Sequence, residues 1–305
     1  MFSGLFSELV TPFCDGALDE KAFRSLVEWQ IAEGVEGLVP CGATGEAPTL
    51  TMAERARLIC LSVEIAGGRV PVIAGIVTSS TGTAIEMARI AWQARANAAL
   101  VVAPSYSRPS QEGLYRHFRA IANAVDLPII VGNEPDRCAV DVQPATVARL
   151  AKIPNIVGIK DASGDMRRPG EIARLVPRDF TQLSGDDRTA LAFNSAGGRG
   201  CISAAANVMP RLCTGLQSAW HSSDATAAHA LQGLLVPLTR ALALEPSPGP
   251  VKYALSRLRG MRNELRLPLV PVEPATAKEI SQAIDSVVLA ERASLDDFDL
   301  RVAQR

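Results

Sequence analysis

A chain of 305 residues, 48% hydrophobic and 21% charged, with a formal net charge of −1, is long enough for one large barrel or two smaller domains. Its balanced charge, with no block of Lys or Arg to line a phosphate track, argues against nucleic acid as a partner. No apolar run approaches the roughly 20 residues that span a bilayer, and the opening MFSGLFSELVTPF has no basic leader and carries Glu8 early, so a soluble, cytoplasmic protein with no membrane partner is expected.

The elements alternate along the chain. FSELVTPF reads as a strand, and LDEKAFRSLVEWQIAEG as an amphipathic helix with Phe23, Leu26, Val27 and Ile31 on one face, Asp19 as N-cap and Gly34 closing it. VEGLVPCG is strand-like and TMAERARLICLSVEIAGG helical; VPVIAGIV is followed by a helix through TAIEMARIAWQARA. AALVVAPSY precedes the helix around EGLYRHFRAIANAV, LPIIVGN precedes PATVARLAKI, and NIVGIKDAS precedes EIARLV. FTQLSGDD, the helix TALAFNSAGG and the short strand GCISAAANV complete the series.

These are about eight strand–helix units, and the strands are continuous apolar runs, as a sheet covered on both faces requires. The pattern predicts an α/β protein with a closed (β/α)8 TIM barrel over residues 1–223. Residues 224–292 show only helical periodicity, interrupted by EPSPGP at 245–250, and predict a C-terminal helical domain; residues 293–305 read as a polar tail. The six cysteines form no CxxC pair and none of the three histidines lies near one, so reduced structural thiols are expected and a His/Cys metal site is excluded by spacing.

In such a barrel, chemistry belongs at the C-terminal ends of the strands. The polar residues there are Thr11, GATGE at 42–46, Ser105 and Tyr106, Asn133 to Arg137, Lys160, Ser184 to Asp186, and Ser203. Lys160 ends an apolar strand and is followed at once by turn residues, where an ammonium must be paired, solvated or neutralised. One reading is an ion pair to a neighbouring strand-end acid. The other is a nucleophile: burial disfavours the charged form and lowers the pKa, freeing the amine to attack a carbonyl and form a Schiff base. GATGE could be a tight loop only, or could bring backbone N–H groups and the Thr44 hydroxyl to a carboxylate. Asp161, Asp165, Asp186 and Asp187 read as caps of the following helices, and His117 as a surface or interface residue.

GATGE (42–46), APSYSRPSQEGLYRHF (103–118), NEPDR (133–137), GIKDASGD (158–165), LSGDD (183–187) and PVKYAL (250–255), in that order, resemble the dihydrodipicolinate synthase / N-acetylneuraminate lyase family. The resemblance covers residues 5–292 and implies the same barrel with a C-terminal helical domain, assembled as a homotetramer of two tight dimers. It implies Schiff-base chemistry on pyruvate or a related 2-oxo acid without a cofactor, together with an aldehyde or hydroxy-acid substrate. On it, Lys160 forms the imine, Ala43 and Thr44 hold the 2-oxo acid carboxylate, and Arg137 binds a distal carboxylate or marks the entrance. Tyr106 reaches into the partner's site across the tight-dimer interface, and Gly185 and Ile202 belong to the substrate-binding wall.

The chain departs from the family pattern at two places. Ala43 stands where the first threonine of GTTGE is usual, and Gly132 where a tyrosine is usual. In the family these two form a proton relay with the interface tyrosine, so Glu134 is the nearest candidate for a substitute proton donor. The lost ring at Gly132 predicts a hole beside the lysine, able to hold water or a bulkier second substrate. Three functions follow: a Schiff-base lyase or aldolase of altered second substrate, an authentic dihydrodipicolinate synthase of lysine biosynthesis, or a paralogue that binds 2-oxo acids without turning them over.

Overall fold

The computed structural model describes residues 2–303, and side chains for 2–289. Eight short strands carry the barrel: β1 (Gly4–Glu8), β2 (Gly37–Val39), β3 (Ile73–Ile76), β4 (Ala98–Val102), β5 (Ile129–Asn133), β6 (Ile156–Asp161), β7 (Thr181–Ser184) and β8 (Gly200–Ser203). They pair in parallel in the order β2-β1-β8-β7-β6-β5-β4-β3, and a parallel bridge between Leu38 and Val72 closes the ring between β2 and β3. Nearly every strand residue is buried, because the strands are covered from both sides. Phe6, Val39, Ile73, Leu100, Ile130, Leu183 and Ile202 form a cluster drawn from the strands and fill the barrel.

The helices between strands are α1 (Glu20–Ala32), α2 (Met52–Ala66), α3 (Thr81–Gln93), α4 (Gln111–Ala122), a single turn α5 (Pro135–Cys138), α6 (Pro144–Leu150), α7 (Arg168–Ala173) and α8 (Ala190–Ser195). Local chemistry sets their ends. Asp19 caps α1 by accepting the Ala22 N–H, Thr51 and Glu54 form a reciprocal capping box on α2, and Ser80 and Ser110 cap α3 and α4. Gly67 ends α2 in the left-handed region at φ 53°, where a side chain is disfavoured.

The C-terminal helices are α9 (Pro210–His221), α10 (Ala225–Ala241), α11 (Gly249–Arg259) and α12 (Pro274–Ala303). Helix α12 runs as one element across residue 293, where the composition predicts a polar tail; Gln304 and Arg305 lie outside the described residues. Residues 260–273 are not helical and lie over the barrel mouth, where the Arg266 N–H donates to Glu46 and the Arg266 guanidinium pairs with Glu54. Between β1 and α1 stands a small hairpin, Phe13–Cys14 against Ala17–Leu18. No helix of the described residues is long and apolar enough to cross a membrane.

Candidate active site

The strand ends converge on one cavity of about 440 Å³ at the C-terminal mouth of the barrel, lined among others by Glu8, Ala43, Thr44, Glu134, Arg137 and Lys160. Lys160, the fifth residue of β6, is 3% exposed and points at two carboxylates rather than at an apolar wall. Its Nζ lies 2.9 Å from Glu134 Oε1 and 3.3 Å from Glu8 Oε2. Both glutamates are buried, Glu8 as the last residue of β1 and Glu134 just after β5.

This geometry reverses the expected protonation of the lysine. Burial works against the ammonium, but the two facing carboxylates outweigh it and raise the Lys160 pKa above its ordinary value. Glu134 shows the same competition from the other side: burial opposes its ionisation, and the Lys160 ammonium, with a smaller contribution from Arg137, outweighs burial and lowers its pKa. The resting pair is therefore ammonium and carboxylate. In this resting state Glu134 is the proton acceptor of the pair.

Glu8 is held by more than the lysine. One carboxylate oxygen accepts the Ala43 N–H at 3.1 Å and the other accepts the Thr44 hydroxyl at 2.9 Å. Gly42 leaves room for it, since a Cβ there would stand 2.2 Å from Glu8 Oε1. Gly185 does the same for the lysine stem: a Cβ would come within 2.9 Å of Lys160 Cε. Gly185 lines the cavity, whereas Ile202 packs inside the barrel and does not.

Arg137 stands half-exposed at the rim, its Nε 3.8 Å from Glu134 Oε2 and a guanidinium N–H donating to the Ser247 carbonyl at 3.3 Å. A second cavity of about 250 Å³ shares Ala43, Glu134 and Arg137 and continues toward Val102, Ser105 and Leu269. Tyr106 is 96% exposed, sits in the left-handed region at φ 68°, and lines neither cavity of its own chain.

No hole opens at Gly132. In the sheet it pairs with Val102 and Lys160, and a Cβ there would stand 3.0 Å from both Cα and Cγ2 of Val102. Gly132 lines neither cavity, and the polar volume beside the amine is taken by Glu8 and Glu134. Three of the four aspartates form turns or ion pairs: Asp161 accepts the Ser163 N–H and pairs with Arg168, while Asp165 and Asp186 accept the N–H two residues on. Asp187 caps no helix of its own; it reaches across to the Ser203 hydroxyl and the N–H groups of Ala204 and Ala205 after β8. His117 is buried, not superficial, with Nδ1 at 2.9 Å from the Thr81 hydroxyl.

Glu8 is the residue of this cavity that strand patterning passed over. It carries the same signal as Lys160, a charged side chain ending an apolar strand, but Thr11 further on draws attention as the polar group of that segment. Thr11 instead donates to the Gly45 carbonyl at 2.7 Å and shapes the loop.

Barrel and site together define a class: a (β/α)8 lyase with a buried strand-end lysine at an acid-lined mouth. The chain belongs to the dihydrodipicolinate synthetase family, whose sequence profile matches residues 1–287, and is a Schiff-base lyase of the class I aldolase type. It is 53% identical over 284 residues to a 4-hydroxy-tetrahydrodipicolinate synthase of Rhodospirillum centenum, covering 93% of this chain and 98% of the relative. It is 54% identical over 286 residues to the synthase of Chelativorans sp., with the same coverages, 93% and 98%. Among solved structures, the 4-hydroxy-tetrahydrodipicolinate synthase of the methanotroph Methylacidiphilum fumariolicum SolV superposes with a TM-score of 0.94 at 39% identity, covering 97% of this chain and 99% of that one. A chloride-inhibited dihydrodipicolinate synthase of Acinetobacter baumannii, complexed with pyruvate, gives a TM-score of 0.92 at 39% identity, covering 94% and 99%.

Proposed function

We propose that this chain makes or breaks a carbon–carbon bond next to the carbonyl of pyruvate or a related 2-oxo acid, through an imine on Lys160. The observation that carries this reading is the buried Lys160–Glu134 pair, 2.9 Å apart, at the head of a cavity large enough for two small substrates. Glu134 takes a proton from the Lys160 ammonium, and the neutral amine adds to the substrate carbonyl. The carbinolamine hydroxyl leaves as water with the proton Glu134 returns, and the resulting protonated imine accepts the electron pair released when the adjacent C–H or C–C bond breaks. Glu134 thus does the work of a relay whose threonine and tyrosine positions hold Ala43 and Gly132.

The names of the relatives support aspartate semialdehyde as the second substrate, and Arg137 at the rim offers its guanidinium to a distal carboxylate. The missing relay supports a different aldehyde or hydroxy acid. Tyr106, projecting from the rim, fits a role in a partner's site within a homotetramer, and the setting we infer is the cytoplasm. A turnover screen of pyruvate against a panel of aldehydes, with Lys160→Ala as control, tests the reading. Condensation with at least one aldehyde, lost in Lys160→Ala, is expected; turnover that survives in Lys160→Ala would contradict it.

A further inference from the structure

The Glu8 carboxylate sits in a built receptor for a carboxylate. The Ala43 N–H approaches one oxygen, the Thr44 hydroxyl the other, and the Lys160 ammonium stands 3.3 Å and 3.4 Å from the two. Glu8 is 4% exposed, Thr44 2% and Lys160 3%, so the receptor is buried at the floor of the mouth cavity, with its Ala43 N–H and Thr44 hydroxyl satisfied by the protein itself. Gly42 is a second, independent sign of fit, because any side chain there would collide with the Glu8 carboxylate. We propose that Glu8 is a resident carboxylate that fills the cradle adjoining the reactive amine, so that a 2-oxo acid gains the cradle only by displacing it.

This deepens the imine-lyase reading above and rests on it for the identity of the incoming ligand. With Glu8 in place, one ammonium already faces two carboxylates. A third carboxylate brought to the same point meets like charge and finds the Ala43 N–H and the Thr44 hydroxyl already donating to Glu8. The main cavity lies directly beside Glu8, so the side chain has space into which it can turn when displaced. Glu8 therefore sets which carbonyl compounds reach Lys160. Small monocarboxylates are held weakly, and a substrate that brings further groups to anchor elsewhere in the mouth, such as at Arg137, is favoured over pyruvate alone.

The experiment compares the native chain with Glu8→Ala and, as a variant that keeps size and most hydrogen bonds, Glu8→Gln. Pyruvate affinity is measured by titration calorimetry, and the Lys160 adduct by borohydride trapping and mass spectrometry. Tighter pyruvate binding by about tenfold or more in Glu8→Ala, with a smaller gain in Glu8→Gln, is expected from removing a like charge and vacating the cradle. If Glu8→Ala does not fold, tighter binding in Glu8→Gln supports the same conclusion. Unchanged or weaker affinity in the folded variants overturns the proposal, even where the native chain traps pyruvate and the imine reading stands. Tighter binding with no adduct in any chain keeps the resident carboxylate and sinks the imine reading.

Discussion

Lys160 and its two glutamates decide how this site works. An ammonium buried among apolar atoms would lose its proton, but one buried between carboxylates keeps it, because the Coulomb attraction exceeds the desolvation it must offset. The proposed imine route needs an acceptor within reach, and Glu134 lies 2.9 Å from the Lys160 amine. Glu134→Gln should slow imine formation by about 10²-fold or more, the scale on which a positioned base contributes, and stopped-flow trapping with pyruvate measures it. Gly185→Ala should also slow the reaction, by about tenfold, since a methyl 2.9 Å from Lys160 Cε pushes the amine off its line; steady-state turnover reads the loss, with circular dichroism confirming the fold. Lys160 stood out in the sequence because a charge ending an apolar strand must be paired, solvated or neutralised. The residues alone left an ion pair and a nucleophile open; the family motifs pointed to the nucleophile, and the structure shows the ion pairs. Glu8 bore the same mark, yet its partners come from β6 and the loop after β2, distant in sequence, and no local pattern links them.

Among the elements, the eight barrel strands and most of the helices between them were legible from apolar runs and 3.6-residue periodicity, helped by the cap at Asp19. Elements too short for any period were not: the hairpin at 13–18, and α5, a single turn begun by Pro135 within a stretch that reads as loop. His117 on α4 was misplaced because a lone histidine on an amphipathic helix looks solvated, whereas its neighbours α3 and Phe118 enclose it. Burial lowers its pKa to about 4 from an ordinary 6.5. The folded state thus binds the proton less readily than the unfolded state. The stability gained by keeping His117 neutral is complete above pH 6.5 and shrinks as pH falls toward 4. Between pH 7 and pH 5 the native chain should lose about 2 kcal/mol through this residue. Urea unfolding at the two pH values, compared with His117→Gln, measures it; an equal loss in the variant would show that another group carries the effect.

On the scale of the whole molecule, charges taken out of water link the barrel mouth to the C-terminal helices. Lys252 of α11 and Glu46 of the loop after β2 form an ion pair with both side chains fully buried; the Lys252 ammonium also donates to the Glu264 carbonyl at 2.7 Å and lies 4.3 Å from the centre of the Phe13 ring. Arg266 reaches the same ring at 4.3 Å and pairs with Glu54 of α2, so residues 260–273 tie the C-terminal helices to the loop that carries Ala43 and Thr44. Helical periodicity over 224–292 disclosed the helices but not this crossing segment, whose order comes from partners on the barrel. Lys252→Met leaves Glu46 buried without its counterion and should cost about 3–5 kcal/mol in urea unfolding, with Lys252→Met/Glu46→Gln recovering part of it.

The central claim is that Lys160, although held as an ammonium between Glu8 and Glu134, is the amine that joins the substrate. Borohydride reduction of the native chain under saturating pyruvate, followed by peptide mass mapping, tests it most directly. The account predicts one reduced adduct, on the peptide containing Lys160, and none in Lys160→Ala. An adduct on another lysine, or an unmodified Lys160 after exhaustive reduction, would contradict it.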